Sequence, residues 1–304
     1  MKHLYIIGNG FDKHHEINSG YDDFVKWIEE NDASLLTDMT EIYGFCDKSW
    51  WSKFEDNLAS LDTIEFACRI AFENQPDLLS EHCDRTWEDA KFAVELILND
   101  VYIRLRENFH HWITHLNAPV ESKKININTE DSVFLSFNYT KTLENIYNIP
   151  HERVLHIHGC VDNDEDFILG HGKSYEDLAQ NNEEQYKINN QFHEKLAEDA
   201  AIAAVASQQK PVQDIISMYN EFFLSLKEVE LIHIYGFSFS ITDIPYLQKI
   251  ISVVNMEKVR WEISDFRGKS KDAIIRFVCD NKIENYDIIC LSFLLCFKQL
   301  VLDV

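Results

Sequence analysis

The sequence predicts an α/β fold on a mostly parallel sheet, and three observations predict it. The chain opens on a short apolar run, His3-Leu4-Tyr5-Ile6-Ile7, that ends in Gly8-Asn9-Gly10-Phe11-Asp12. That pattern reads as a buried strand turning sharply into a helix, since glycine lets the backbone turn tightly and approach a ligand closely. Residues 231–263 carry a strand–helix–strand pattern: Leu231–Tyr235, then Asp243–Val254, then Val259–Ile263. Four polar segments each follow a predicted strand. In a parallel sheet such loops meet beyond the carboxyl ends of the strands, where nucleotides bind in Rossmann-like folds.

The elements follow in order. Apolar residues at helical spacing mark a helix at Tyr21–Ile28, helical character over Trp50–Asn74, and a long helix over about Trp87–Leu116. Residues 13–128 therefore read as helices without an evident strand. Strand character returns at Val133–Ser136 and Val154–Ile157, short β-rich runs that end in small or polar residues. Residues 173–228 read as helical again, acidic and rich in Gln and Asn, with an alanine patch at 197–206. Lys269–Cys279 closes the pattern as another helix. The expected organisation is one domain over residues 1–304, with mostly helical insertions at about 20–128 and 173–228.

Composition excludes several classes. At 304 residues and 45% hydrophobic, the chain can bury a substantial core. Its net charge of −24 repels nucleic acid, and no Lys/Arg run offsets that field. The seven cysteines are scattered, with no Cys-x-x-Cys pair, so reduced thiols in a cytoplasmic protein are expected. The longest apolar stretch, Ile288–Phe297, is about half a membrane span. No signal peptide or membrane association is expected.

Each chemistry-bearing segment admits a functional and a plain reading. Gly8 and Gly10 either line a nucleotide site, with the helix N-terminus toward phosphate, or simply turn the chain. Asp12 either caps the helix or bonds a ribose hydroxyl. Asn138, in Ser136-Phe137-Asn138-Tyr139-Thr140, carries both a donor and an acceptor and suits orienting ribose or water. His156 and His158, two apart on a predicted strand, share a face. They are a metal pair, completed by His171 with Asp162 or Asp12, or His158 alone is a general base. The doublets His14-His15 and His110-His111 fall on predicted polar helix faces. Gly236-Phe237-Ser238-Phe239-Ser240 precedes Thr242-Asp243, a predicted helix start suited to anion or ribose contact. Ser240 stands where a serine-hydrolase elbow needs its second glycine, which argues against a Ser-His-Asp hydrolase.

The ordered set Gly-Asn-Gly-Phe-Asp, Phe-Asn-Tyr-Thr, His-Ile-His-Gly and Gly-Phe-Ser-Phe-Ser-Ile-Thr-Asp-Ile-Pro-Tyr resembles the bacterial AbiH family of phage abortive-infection proteins. Trp51–Leu58 looks like a further segment of that family, and the likeness extends from residue 4 to about 250. More distantly, the order is similar to the sirtuin-like NAD-consuming domains of anti-phage systems. That resemblance implies a Rossmann-like, sirtuin-like sheet with NAD at its carboxyl edge and cleavage of the nicotinamide–ribose bond. It implies Asn138 and His158 as catalytic residues. Gly8, Asn9, Gly10, Phe11, Asp12, Gly236, Ser238 and Asp243 are then expected to contact NAD as substrate, and no metal is expected. Asp12 and Thr140 depart from the sirtuin pattern, and the paired zinc cysteines are missing, which argues against protein deacylation. A defence NADase also implies regulation, by self-association or by a partner protein.

Overall fold

The computed structural model describes residues 2–75, 87–161, 167–183, 192–265 and 270–290. The chain divides into two compact units, one formed by residues 1–20, 113–168 and 211–304, the other by residues 21–112 and 169–210.

The first unit is built on six parallel strands: β1 (His3–Ile7), β2 (Ser132–Ser136), β3 (Val154–His156), β4 (Leu231–Tyr235), β5 (Arg260–Ser264) and β6 (Tyr286–Ile289). Their order is β3-β2-β1-β4-β5-β6, the Rossmann-like order, with the direction of winding reversing between β1 and β4. Alternation along each strand fills two cores. Leu4, Ile6, Val133, Leu135, Ile232, Ile234, Trp261 and Ile263 face one side and pack with helices Ile244–Val253 and Lys271–Asp280. Tyr5, Ile7, Phe134 and Tyr235 face the other and pack with Phe11 and with Leu143, Ile146 and Tyr147 of helix Thr142–Tyr147.

Register then positions the loops. Ile7 lies opposite Ser136 on one side and Tyr235 on the other, and Ser136 lies opposite His156. The residues that follow, Gly8, Phe137, Ile157 and Gly236, therefore leave the sheet at one level.

The second unit is helical among its described residues. Helices Tyr21–Asn31, Ala33–Tyr43, Thr63–Glu73 and Phe192–Ala206 lie in it, with most of Asp89–Thr114. Phe24 is its aromatic centre, with ring centroids 5.0–6.3 Å from Trp51, Phe54, Phe109 and Trp112. The alanine patch of the sequence has a packing reason: Ala197, Ala200, Ala201 and Ala204 are buried, as are Ala67 and Ala71 of Thr63–Glu73, and small faces let helices approach closely.

Two expectations are corrected, and one strand is new. Trp50–Asn74 is broken into Lys48–Ser52, Phe54–Asn57, a 3-10 turn at Leu58–Ser60 and Thr63–Glu73. Asp62 N-caps a new start within that stretch, and Asp47 caps the helix that enters it. Helix Ala33–Tyr43, capped by Asp32, lies in the region expected to be helical, whereas the edge strand β6 was not expected. β3 ends at His156, not Ile157: Ile157 still donates to the Ser136 carbonyl, then the chain turns through Gly159 at φ +88°. Among the described residues no helix is long and apolar enough to cross a membrane. None of Cys46, Cys68, Cys160, Cys279 and Cys290 forms a disulfide. Part of the apolar stretch Ile288–Phe297 and the start of the helix expected at Lys269 fall outside the described residues.

Candidate functional site

The turns after β1 and β4 are pressed together. The Gly8 amide donates to the Tyr235 carbonyl at 2.9 Å and the Gly10 amide to the Gly236 carbonyl at 2.8 Å. A methyl group on Gly8 would meet the Gly236 oxygen at 2.7 Å, and one on Gly10 would meet the Gly236 Cα at 2.8 Å. One on Gly236, at φ +66°, would meet the Phe11 nitrogen at 2.2 Å. The glycines thus have a packing reason besides any ligand. Gly8 is the N-cap of helix Asn9–His14, and the Phe11 amide returns to its carbonyl at 2.9 Å. Asn9 is turned away from the sheet edge toward Ser19, whose carbonyl accepts from its Nδ2 and whose hydroxyl donates to its Oδ1.

Asp12 does not cap that helix. It lies inside it, 1% exposed, and its carboxylate accepts from Thr140 Oγ1 at 2.6 Å and Thr142 Oγ1 at 2.7 Å. Burial pushes its pKa up to about 6, partly opposed by hydrogen bonds from Thr140, Thr142 and Asn138. A folded-state pKa above the unfolded 3.8 means the charged form costs stability above pH 6, and the cost fades as pH falls through 6 toward 4. Relative to Asp12→Asn, which does not titrate, wild type should gain roughly 2–3 kcal/mol between pH 7.5 and 4 in urea unfolding. A pH-independent difference would refute the burial argument.

Asn138 follows β2 and is 5% exposed. Its Nδ2 donates to the Gly8 carbonyl at 3.1 Å, tying the β1 and β2 turns together. Its Oδ1 is buried and accepts no hydrogen bond. Such an acceptor costs stability unless something donates to it, so it is suited to take a hydrogen bond from a hydroxyl or water.

His156 and His158 part ways after β3. His156 is surrounded by acceptors: Nδ1 faces the Asn138 carbonyl at 3.1 Å and Nε2 faces Glu144 Oε1 at 3.0 Å. Burial opposes its charge, but Cys160 and Glu144 outweigh that and raise its pKa to about 10. His158 is 2% exposed, its ring packed edge-on against Phe137 and Tyr246, with Nε2 3.6 Å from Asp243 Oδ1. Asp243 occupies the N-cap position of helix Ile244–Val253 without a side-chain capping bond, and its Oδ1 lies within ion-pair reach of the histidine. The Gly236–Ser240 turn follows β4, with Ser238 exposed and Phe239 held at φ +57° against Phe237 and Phe277. A bulky residue at positive φ is uncommon and fixes the path of this loop.

Two members of the expected metal set are engaged elsewhere, each within its own unit. His158 faces Asp243, and both ring nitrogens of His171 are spent on backbone: Nε2 donates to the Val205 carbonyl and Nδ1 accepts the Lys173 amide. Asp162 lies outside the described residues. His15 is not on a polar face but fully buried, donating from Nδ1 to the Phe11 carbonyl and accepting from the Tyr147 hydroxyl. Burial lowers its pKa to about 4, so it is a neutral core residue.

Glu144 is the residue that sequence reasoning missed here, because a lone glutamate on a helix carries no signal. A second missed group lies in the helical unit. Lys210, 3% exposed, pairs with Glu55 Oε2 at 2.5 Å, and Tyr21 donates to Glu55 Oε1 at 2.5 Å. That unit also holds a cleft of about 420 Å³ floored by Trp51, Leu36 and Val25, which none of the expected site residues lines.

The family described as "Bacteriophage abortive infection AbiH" matches residues 4–265. No curated protein and no solved structure matches the chain.

Proposed function

From the premise that this chain belongs to the AbiH family of bacteriophage abortive infection, we propose that it is an NAD glycohydrolase. Its role would be to deplete NAD in an infected cell by cleaving the nicotinamide–ribose bond. The observation that carries this reading is the buried, undonated Oδ1 of Asn138. It belongs to the same sheet edge as the His158–Asp243 pair, beside the point where the strand order reverses. Nucleotides bind at that point in folds of this class.

In the proposed reaction water adds to the ribose C1′ while the C–N bond breaks. Nicotinamide leaves with the electron pair, which neutralises its ring. Asn138 Oδ1 accepts from a ribose hydroxyl or from the water. His158, oriented by Asp243, takes the water's proton. Asp12, buried and anionic above pH 6, opposes the positive charge that develops on the sugar. Gly8, Gly10, Gly236 and Ser238 would line the nucleotide, whereas the Asn9 side chain is held by Ser19 and Phe11 packs in the core. Restraint before infection would come from self-association or a partner protein.

A non-catalytic nucleotide sensor is the second reading. What favours it is that the Gly8, Gly10 and Phe11 amides are already bonded to carbonyls, leaving them little to offer phosphate. Nicotinamide release from NAD by the purified chain separates the two. The enzyme should release nicotinamide in stoichiometric excess over protein, whereas a sensor would return NAD intact although its melting temperature rises with NAD. Neither release nor a thermal shift would discard NAD.

A further inference from the structure

We propose that Glu144, His151 and His156 form a binding site for a divalent transition metal, of which zinc is the best fit, with a coordination position left open to solvent. The inference does not rest on the NAD reading.

The three side chains come from one short stretch of chain. Glu144 lies on helix Thr142–Tyr147, His151 opens the 3-10 turn before β3, and His156 ends β3. Their ligand atoms lie within 4.8 Å of one another, the group that meets this spacing among the described residues. Glu144 Oε1 is 3.3 Å from His151 Nδ1 and 3.0 Å from His156 Nε2. Tetrahedral zinc, bonded to nitrogen and oxygen at roughly 2.0–2.2 Å, holds neighbouring donors about 3.4 Å apart. The cluster is therefore near ligand spacing before any ion binds.

Two further observations point to a cation rather than to a plain hydrogen-bonded chain. Glu144 Oε2 is buried and has no hydrogen-bond partner, so one oxygen of the carboxylate is shared by two imidazoles while the other is unused. A metal accepts both oxygens. The His156 ring is also aligned as a ligand would be, with Nδ1 on the Asn138 carbonyl and Nε2 toward the cluster. Histidine ligands usually donate their second nitrogen to a carbonyl or carboxylate in this manner. Two imidazoles and one carboxylate are a borderline donor set that suits zinc. The side chain of His151 is 57% exposed, so water can complete the coordination.

Such an ion would clasp helix Thr142–Tyr147, the 3-10 turn and β3. Through the His156–Asn138 bond it would also steady the turn that carries Asn138. Its role is that of a clasp, and no step of the proposed reaction passes through it.

The test uses the full chain, stripped with EDTA and returned to zinc, read by equilibrium dialysis, by melting temperature, and by visible absorption with cobalt in place of zinc. One equivalent should bind, raise the melting temperature and give cobalt bands of low coordination number. His151→Ala, at an exposed position that should fold normally, should weaken binding at least about tenfold. Glu144→Gln should do the same, while the exposed pair His110→Ala/His111→Ala should change nothing. Equal binding by wild type and His151→Ala would overturn the site, as would loss of binding in the His110/His111 variant. The cluster would then be only a hydrogen-bonded His–Glu–His chain.

Discussion

Replacing His158 with alanine should reduce nicotinamide release from NAD by about 10²–10⁴-fold, the range a positioned general base supplies. The structural basis is a histidine that is buried yet aimed. Its ring is fixed by Phe137 and Tyr246, and its Nε2 looks toward a carboxylate that forgoes helix capping. The 3.6 Å separation is longer than a hydrogen bond, and catalytic contacts of this kind commonly tighten when substrate binds. Asp243→Asn keeps the shape and removes the charge, so it should lower turnover by less than His158→Ala. Because alanine leaves a cavity, His158→Gln is the companion variant, expected to fold like wild type and to be as inactive as His158→Ala. Asn138→Ala should lose turnover too, with some stability, since it also cuts the bond to Gly8. Wild-type release by both His158 variants, in preparations shown to be folded, would refute the catalytic assignment.

Gly236→Ala should be severely destabilising, costing about 3–5 kcal/mol of unfolding free energy. Two penalties coincide there. The residue sits at φ +66°, a region L side chains rarely adopt, and its Cβ would lie 2.2–2.7 Å from backbone atoms of Gly10 and Phe11. Backbone cannot swing aside as a side chain can. Gly8→Ala isolates the steric part, because its φ of −115° suits any residue while its Cβ would lie 2.7 Å from Gly236 oxygen. Gly44→Ala isolates the conformational part, since its φ is +76° but nothing lies within 4 Å. Urea unfolding should therefore place Gly236→Ala below both. If it proves no worse than either, the two turns do not abut as described. Activity lost in Gly8 or Gly236 variants reports on the fold first, and says nothing of nucleotide contact unless the variant is folded.

The sheet was legible because its signals are local. His3–Ile7 and Leu231–Tyr235 each alternate between two apolar faces and end at a glycine, and both strands have the expected bounds. β6 was not legible, since most of its side chains are exposed and an edge strand needs little apolar patterning. Of the site, the segments were readable and their partners were not. Asp12 could be seen as polar residue after a glycine turn, but its two threonine donors come from more than a hundred residues away. Glu144 is an ordinary helical glutamate until β3 brings His156 to it.

The sequence by itself determined the parallel sheet, the helical character of the described residues between 21 and 112, the order of the four loop segments and the family, because these rest on period, turn chemistry and motif order within short windows. Tertiary structure alone decided which polar groups meet. Register set Gly8, Phe137, Ile157 and Gly236 at one level, and from there His156 turned to Glu144 and His158 to Asp243. Two histidines that look equivalent in the sequence were separated by the turn from His156 to Gly159, because the end of a strand ends the rule that alternate residues share a face.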